Sequence, residues 1–282
     1  MNYRHAFHAG NVADVVKHAV MLRILLHLKQ KPAPFCVIDT HAGAGLYDLT
    51  GPEARRTEEW KAGIGRLVSA PFIPSVRALL APYLDAVAAF NTADDLRFYP
   101  GSPLLALHAL RRQDRLLACE REPSVAAALE HRLRSDSRAK VLTADGWVAL
   151  KANVPPRERR GLVLIDPAYE DQHEFAQLAA TFEGAYRRWP TGTYLLWYPI
   201  TKRSQSGTLT RRLRHIEKAK ILRTEILVER PSEDDAGLGG TGLMIVNPPW
   251  TLPRDLKILL PALAEVFECA PGAFTLDWIV RE

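Results

Sequence analysis

Leu162-Val163-Leu164-Ile165-Asp166-Pro167-Ala168-Tyr169 is the stretch on which the architecture turns. Its four apolar residues lack the polar alternation of a half-exposed strand, and the Asp-Pro step that follows cannot extend a ladder. The run predicts a short strand buried on both faces. Similar runs lie on either side. Phe35-Cys36-Val37-Ile38 ends at Asp39, Leu116-Leu117-Ala118-Cys119 at Glu120, and Lys140-Val141-Leu142-Thr143 just short of Asp145. Tyr194-Leu195-Leu196-Trp197-Tyr198 makes a fifth. Helical patterns separate these runs, which predicts an α/β domain with a mostly parallel sheet. Four of the strands end at or beside an acid. Ligands of open α/β sheets bind beyond the carboxyl ends of the strands, so these acids mark the rim of a site.

Past the fifth strand, runs at 221–228 and 243–246 are joined by the polar, glycine-rich segment 231–240, too short for a crossover helix. They are expected to pair antiparallel. A helix over 254–268 and a strand over 274–280 complete the pattern. More than seventy residues separate the first two strands, too many for one crossover helix. Helices are expected there over 60–68 and 73–90. Another opens at Pro100-Gly101-Ser102-Pro103, with Ser102 as N-cap and Pro103 at the first helical position. Residues 49–99 thus read as a small helical insertion within a single domain of residues 1–282.

Composition narrows the class without naming it. Of 282 residues, 47% are hydrophobic and 24% charged, which excludes a disordered chain. The net charge of +5 is a mild basic excess, compatible with a polyanionic partner. Cys36, Cys119 and Cys269 are too few and too scattered for a disulfide framework. The N-terminus lacks a signal-peptide core, and no apolar run approaches the roughly 20 residues that cross a bilayer. A cytoplasmic protein with no membrane attachment is expected.

Several segments carry chemistry. In Asp39-Thr40-His41-Ala42-Gly43-Ala44-Gly45, two glycines permit a sharp turn after the first strand and close approach to a ligand, although taken alone the motif reads first as a tight strand-to-helix turn. Glu120 ends the next strand, where a carboxylate can accept from ribose hydroxyls of an adenosine-containing cofactor. The helix opening at Ser102 would offer N–H groups to a cofactor carboxylate. Asp145-Gly146 has an acceptor for an adenine amino group, or is an ordinary turn. Asp166-Pro167-Ala168-Tyr169 is the most informative. An adenine N6 is a poor nucleophile because its lone pair is delocalised. A carboxylate and a proline-fixed carbonyl can bind both amino hydrogens, and an aromatic ring can stack on an extruded base.

Asn247-Pro248-Pro249-Trp250 is a rival tetrapeptide, but it follows a strand of the antiparallel pair and reads as a proline-locked exit with Trp250 packed on the core. Upstream, Asn11 should cap a helix over 12–30 whose apolar face is Val15, Val16, Ala19, Leu22, Leu25 and Leu26. Lys17 and His18 would ordinarily be solvated there. His5, His8 and His18 lack a completing ligand for zinc, so no metal is expected. Basic residues gather at Arg157, Arg159 and Arg160, and again from Lys202 and Arg203 through Arg211, Arg212, Arg214, Lys218, Lys220 and Arg223. They form either a solvated face or a phosphate-binding rim.

Taken in order, these motifs closely resemble the RlmJ family of bacterial 23S rRNA adenine-N6 methyltransferases, over essentially the whole chain. The resemblance is carried by Tyr3-Arg4-His5, Phe7-His8-Ala9-Gly10-Asn11, Lys17-His18, the 39–45 loop, Tyr99-Pro100-Gly101-Ser102-Pro103, Asp145-Gly146 and Asn247-Pro248-Pro249-Trp250. It implies a class I S-adenosylmethionine-dependent, Rossmann-like methyltransferase fold acting as a monomer on 23S rRNA. Matched by position, it places His18, His41, Ser102, Glu120, Asp145, Gly146 and Asp166 on S-adenosylmethionine. Asp166 is then also the proton acceptor, supported by Pro167 and Tyr169, while Tyr3 and Lys17 lie on the RNA side. One departure is Ala168, where the family usually has a second proline. A DNA adenine-N6 methyltransferase, or a non-catalytic RNA-binding assembly protein on the same fold, are the competing readings.

Overall fold

The computed structural model describes residues 3–92, 95–171, 173–201, 206–228 and 238–281. Its strands are β1 Cys36–Asp39, β2 Leu46–Asp48, β3 Phe98–Pro100, β4 Arg115–Glu120, β5 Ala139–Thr143, β6 Gly161–Ile165, β7 Thr193–Ile200, β8 Ile221–Leu227, β9 Gly240–Val246 and β10 Phe274–Val280. The helices are α1 Val12–Lys29, α2 Pro52–Thr57, α3 Arg66–Ser69, α4 Pro74–Ala88, α5 Ser102–Ala109, α6 Pro123–Leu133, α7 Gly146–Asn153, α8 Glu174–Arg188, α9 Ser206–Leu213 and α10 Leu252–Val266.

Eight strands form one sheet in the order β10-β8-β9-β7-β6-β1-β4-β5. Strands β5, β4, β1, β6 and β7 are mutually parallel. The expected antiparallel pairing of β8 with β9 is present, β9 also runs antiparallel to β7, and β10 pairs antiparallel with β8. Alternate residues of the parallel strands feed two cores. Val37, Leu116, Leu162 and Leu164 belong to the core that contains α1 and α5, whereas Ile38, Leu117, Val163 and Ile165 belong to the one that contains α7 and α8. That two-sided burial explains the unbroken apolar runs.

Three expectations need correction. Ser102 is the first helical residue of α5 rather than its cap, which is Gly101. The insertion contains helices, a π-helical turn at Lys61–Gly65 and α4, but it is entered and left through β2 and β3, an antiparallel ribbon. Helix α1 has no single apolar face: Val12 through Leu22 are all buried, including Asp14, Lys17 and His18. Asn11 does cap it, accepting from the Asp14 N–H at 3.0 Å. The flank of α1 that would otherwise meet water is covered by the insertion. There a Cβ at Gly63 would come within 2.1 Å of the Gly10 carbonyl oxygen, so only glycine permits this approach. The 231–237 part of the polar linker, with Lys202 and Arg203, lies outside the described residues. Among the described residues no helix is long and apolar enough to cross a membrane.

Candidate active site

Strand order reverses at β1, with β4 and β5 on one side and β6 and β7 on the other. A crevice must open there, because the connections leave in opposite directions. Asp39 ends β1 level with Leu164 of β6, and the Thr40 N–H donates to the Leu164 carbonyl at 3.1 Å. Asp39 and Asp166 are thus carried to one place by adjacent strands. Asp39 Oδ1 accepts from the His41 N–H at 3.3 Å, while Oδ2 is buried with no hydrogen-bond partner among the described residues. Burial pushes this carboxyl up to about 6.

The loop after β1 turns through left-handed Gly43 (φ 62°) and Gly45 (φ 80°). Glu120 reaches it from β4, accepting the Gly43 N–H through Oε2 at 2.9 Å and the Glu122 N–H through Oε1 at 2.8 Å. Asp145 caps α7, with Oδ1 accepting from Trp147 and Val148 N–H at 2.9 and 3.1 Å. Gly146 has a packing reason. A Cβ there would lie 2.1 Å from the Thr40 carbonyl oxygen, so glycine lets the third-strand turn rest on the first-strand loop. His41 lies edge-on to Trp147, with ring centroids 5.1 Å apart, and burial lowers its imidazole to about 4.

The N-terminal segment supplies what the sequence reading did not foresee. Tyr3 Oη hydrogen-bonds His5 Nδ1 at 2.8 Å, and His5 Nε2 meets Asp14 Oδ2 at 3.0 Å. Asp14 Oδ1 pairs with Lys17 Nζ at 2.9 Å, and Lys17 Nζ also donates to Asp166 Oδ2. The expectations that Lys17 lies on a solvated surface and that it faces the RNA are therefore corrected. Its ammonium is buried between two carboxylates, 5.6 Å from the Trp197 ring centroid. Tyr3 itself is half-buried, stacked on His8 at 5.5 Å, with its N–H on Glu170 Oε1 at 2.6 Å. Burial, reinforced by Asp166 and Asp14, raises its phenol well above the ordinary value, so it stays protonated.

Asp166 is slightly exposed at the crevice, and Pro167 behind it is buried. Tyr169 takes a left-handed conformation (φ 52°) that turns its hydroxyl onto the Trp197 carbonyl at 2.8 Å. Its ring meets Phe175 tilted and Trp197 edge-on, so neither contact is a face-to-face stack.

His18 lies deeper. Its Nδ1 bonds Tyr99 Oη at 2.7 Å, and Tyr99 Oη bonds Tyr83 Oη at 2.9 Å, linking α1 to α4 of the insertion. Burial drives the His18 imidazole down to about 3, so it is neutral. Tyr99→Phe leaves two buried polar atoms short of a partner, at about 1–3 kcal/mol. A lower urea midpoint is expected, and an unchanged one would show that this chain carries no weight.

Asn247-Pro248-Pro249-Trp250 sits at the other end of the sheet. Val246 is level with Tyr194 near the start of β7, whereas Asp166 lies beyond the far end of β6. The expectation that Trp250 packs on the core is wrong: it is 80% exposed. In the basic run, Arg212 pairs with Glu183 at 3.5 Å and Arg223 with Asp277 at 2.8 Å, while Arg211 and Arg214 are exposed. His5, His8 and His18 bond separately to Asp14, Glu59 and Tyr99.

A sheet of this order, reversing at β1 and rimmed by Asp39, Glu120, Asp145 and Asp166, is the class I methyltransferase fold. The family model described as "Ribosomal RNA large subunit methyltransferase D, RlmJ" matches residues 32–280. Ribosomal RNA large subunit methyltransferase J of Escherichia coli strain K12 is 42% identical, and that of Haemophilus influenzae 40%, each alignment covering all of both chains. A crystal structure of a Legionella pneumophila protein, 35% identical, superposes with a TM-score of 0.86 over 96% of this chain and 97% of that one. The chain belongs to the RlmJ family of ribosomal RNA large subunit methyltransferases.

Proposed function

We propose that the protein transfers a methyl group from S-adenosylmethionine to the N6 amine of an adenine in 23S rRNA, as a cytoplasmic monomer, with Asp166 as proton acceptor. The observation that carries this reading is the convergence of the Asp166-Pro167 step and the buried Lys17 ammonium at the point where the sheet reverses.

The residues fit the methyl donor. The partnerless Asp39 Oδ2 suits a cationic amino group, with Ser102 beside it at the start of α5. Glu120 keeps spare lone pairs for ribose hydroxyls, and Asp145 with Gly146 borders the place for an adenine ring. His18 and His41 are neutral imidazoles that can donate or accept without adding charge beside a sulfonium. When bound, the donor supplies an electrophilic methyl group.

The chain's own work is on the amine. The Asp166 carboxylate and the Pro167 carbonyl accept its two hydrogens, which favours a pyramidal nitrogen with an available lone pair. Tyr169 offers a ring face to the extruded base. As positive charge develops on N6, Asp166 stabilises it and then takes the proton. Lys17 orients that carboxylate from behind, and Tyr3 borders the RNA side.

Glu120→Ala should weaken S-adenosylmethionine binding by one to two decades, since hydrogen bonds to a charged group are worth roughly 1.5–3 kcal/mol. Calorimetry showing wild-type affinity in a folded variant would rule out this placement. The function itself is tested by incubating protein-free 23S rRNA with protein and donor, then mapping N6-methyladenosine by mass spectrometry. A product on another atom, on DNA only, or none at all would refute it.

A further inference from the structure

The chain has six tryptophans, and Trp250 stands apart from the rest. The other five are buried or half-buried, whereas Trp250 is 80% exposed. Its exposure is built in. Preceding it, Asn247 adopts a left-handed conformation (φ 52°) and is held on every side. Its N–H donates to the Lys220 carbonyl at 2.8 Å, and its amide to the Pro190 and Gly192 carbonyls at 2.8 and 2.7 Å. Its own carbonyl accepts from Thr193 Oγ1 at 3.2 Å. Pro248 and a buried Pro249 follow, and the Leu252 N–H closes onto the Pro249 carbonyl at 2.9 Å. A pinned, proline-stiffened turn thus presents an indole to water with little conformational freedom left to lose on binding.

Charge gathers around the same turn. The segments that meet at Asn247, residues 187–192, 217–220 and 247–257, carry the exposed cations Arg187, Arg188, Lys218, Arg254 and Lys257. The acids of these segments are exposed Glu217 and buried Asp255, and the latter is neutralised by Arg23 at 2.7 Å. An aromatic platform among cations is the arrangement that holds single-stranded nucleic acid: phosphates take the charges and a base lies on the ring. A purely apolar partner would leave the cations unanswered, and a purely anionic one would leave the indole in water.

We propose that this end of the sheet is a second RNA contact surface, where Trp250 stacks on an unpaired base and Arg188, Lys218 and Arg254 take neighbouring phosphates. The proposal rests on the reading of rRNA as substrate and extends it. Asn247 lies one step past Val246, level with Thr193, and Asp166 one step past Ile165, level with Trp197, so four residues of β7, roughly 13 Å at the usual rise per residue, separate the two levels, on strands two apart in the sheet. The enzyme therefore grips its RNA both at the target adenine and at a second point across the sheet, so that more than the target nucleotide is read.

The test compares wild type, Trp250→Ala and the triple variant Arg188→Ala/Lys218→Ala/Arg254→Ala for binding to protein-free 23S rRNA across a salt series. Calorimetric binding of S-adenosylmethionine and the rate of methyl transfer are measured alongside. Trp250→Ala should bind the RNA about 5–100-fold more weakly, with donor affinity and kcat at saturating RNA unchanged. The triple variant should lower the salt slope by about 2, since each phosphate contact to a single strand contributes about 0.7. If wild type methylates rRNA while both variants bind it with wild-type affinity and slope, the second surface is refuted and the function stands. If wild type neither binds nor methylates rRNA, the functional reading fails first and this one falls with it. Unchanged RNA binding, with a wild-type dimer that dissociates in Trp250→Ala by sedimentation, assigns the face to a second copy of the chain and overturns the RNA proposal.

Discussion

Asp166→Asn should reduce methyl transfer by at least about 10²–10⁴-fold, the range of general-base assistance, with electrostatic loss added to it. The two side chains are nearly isosteric, so Pro167 and Tyr169 keep their places. What changes is charge and basicity. On the proposed mechanism, the amide cannot accept the departing proton, and it cannot stabilise positive charge developing on N6. It also turns either a donor or a weaker acceptor towards Lys17 Nζ, which now donates to Asp166 Oδ2. Single-turnover transfer to protein-free rRNA is the measurement, with most donor affinity retained by calorimetry. Asn247→Ala is the control at the opposite end of the sheet. If Asn247→Ala were inactive in a folded protein and Asp166→Asn near wild type, the catalytic tetrapeptide would have been misassigned.

Lys17→Met should be the most destabilising single change near the site, by about 3–5 kcal/mol, because removing one partner leaves a buried charge without its counter-ion. Against a typical total of about 5–15 kcal/mol, this is a large share. Burial alone would push the Asp14 carboxyl up, but the neighbouring Lys17 ammonium and His5 outweigh it and hold it well below the usual carboxylate range. A depressed folded value contributes stability that is present above the unfolded value of about 4 and is lost as pH falls through the folded one. The gap between wild type and Lys17→Met should therefore be widest near pH 7 and narrow below about pH 4. Urea midpoints at the two pH values measure it. A gap that stays constant with pH would mean that lost packing, and not the uncompensated carboxylates, sets the cost. Pairing Lys17→Met with Asp14→Asn should recover part of the loss, as coupled neighbours do.

Much of this architecture is legible in the chain because its signals are local. The central strands announce themselves as unbroken apolar runs, since helices cover both faces of the sheet. Asp39, Glu120 and Asp166 are legible because they sit where those runs stop. Lys17 is not, because its partner Asp166 is 149 residues away and a lysine near a helix start is normally solvated. The all-round burial of α1 is hidden for the same reason: the cover on its far side comes from the insertion, and no periodicity within 12–29 records it. Gly146 reads as a ligand cradle by analogy, yet its nearest constraint is the Thr40 carbonyl. Trp250 misleads in the other direction, since an indole after two prolines looks like core and is held in water by hydrogen bonds that Asn247 makes to a distant loop.

The burial of α1 also bears on when the active site comes into existence. Its Lys17 needs Asp166, and its Arg23 meets Asp255 across 232 residues. Contacts of such sequence separation form late, because the chain between them must be ordered first. During synthesis α1 can already pack on α4 and α5, but Lys17 and Arg23 lack their partners until β6 and then α10 have emerged. The pairing of Lys17 with Asp166 thus waits for β6, and the seating of α1 is complete only when Asp255 of α10 has joined it.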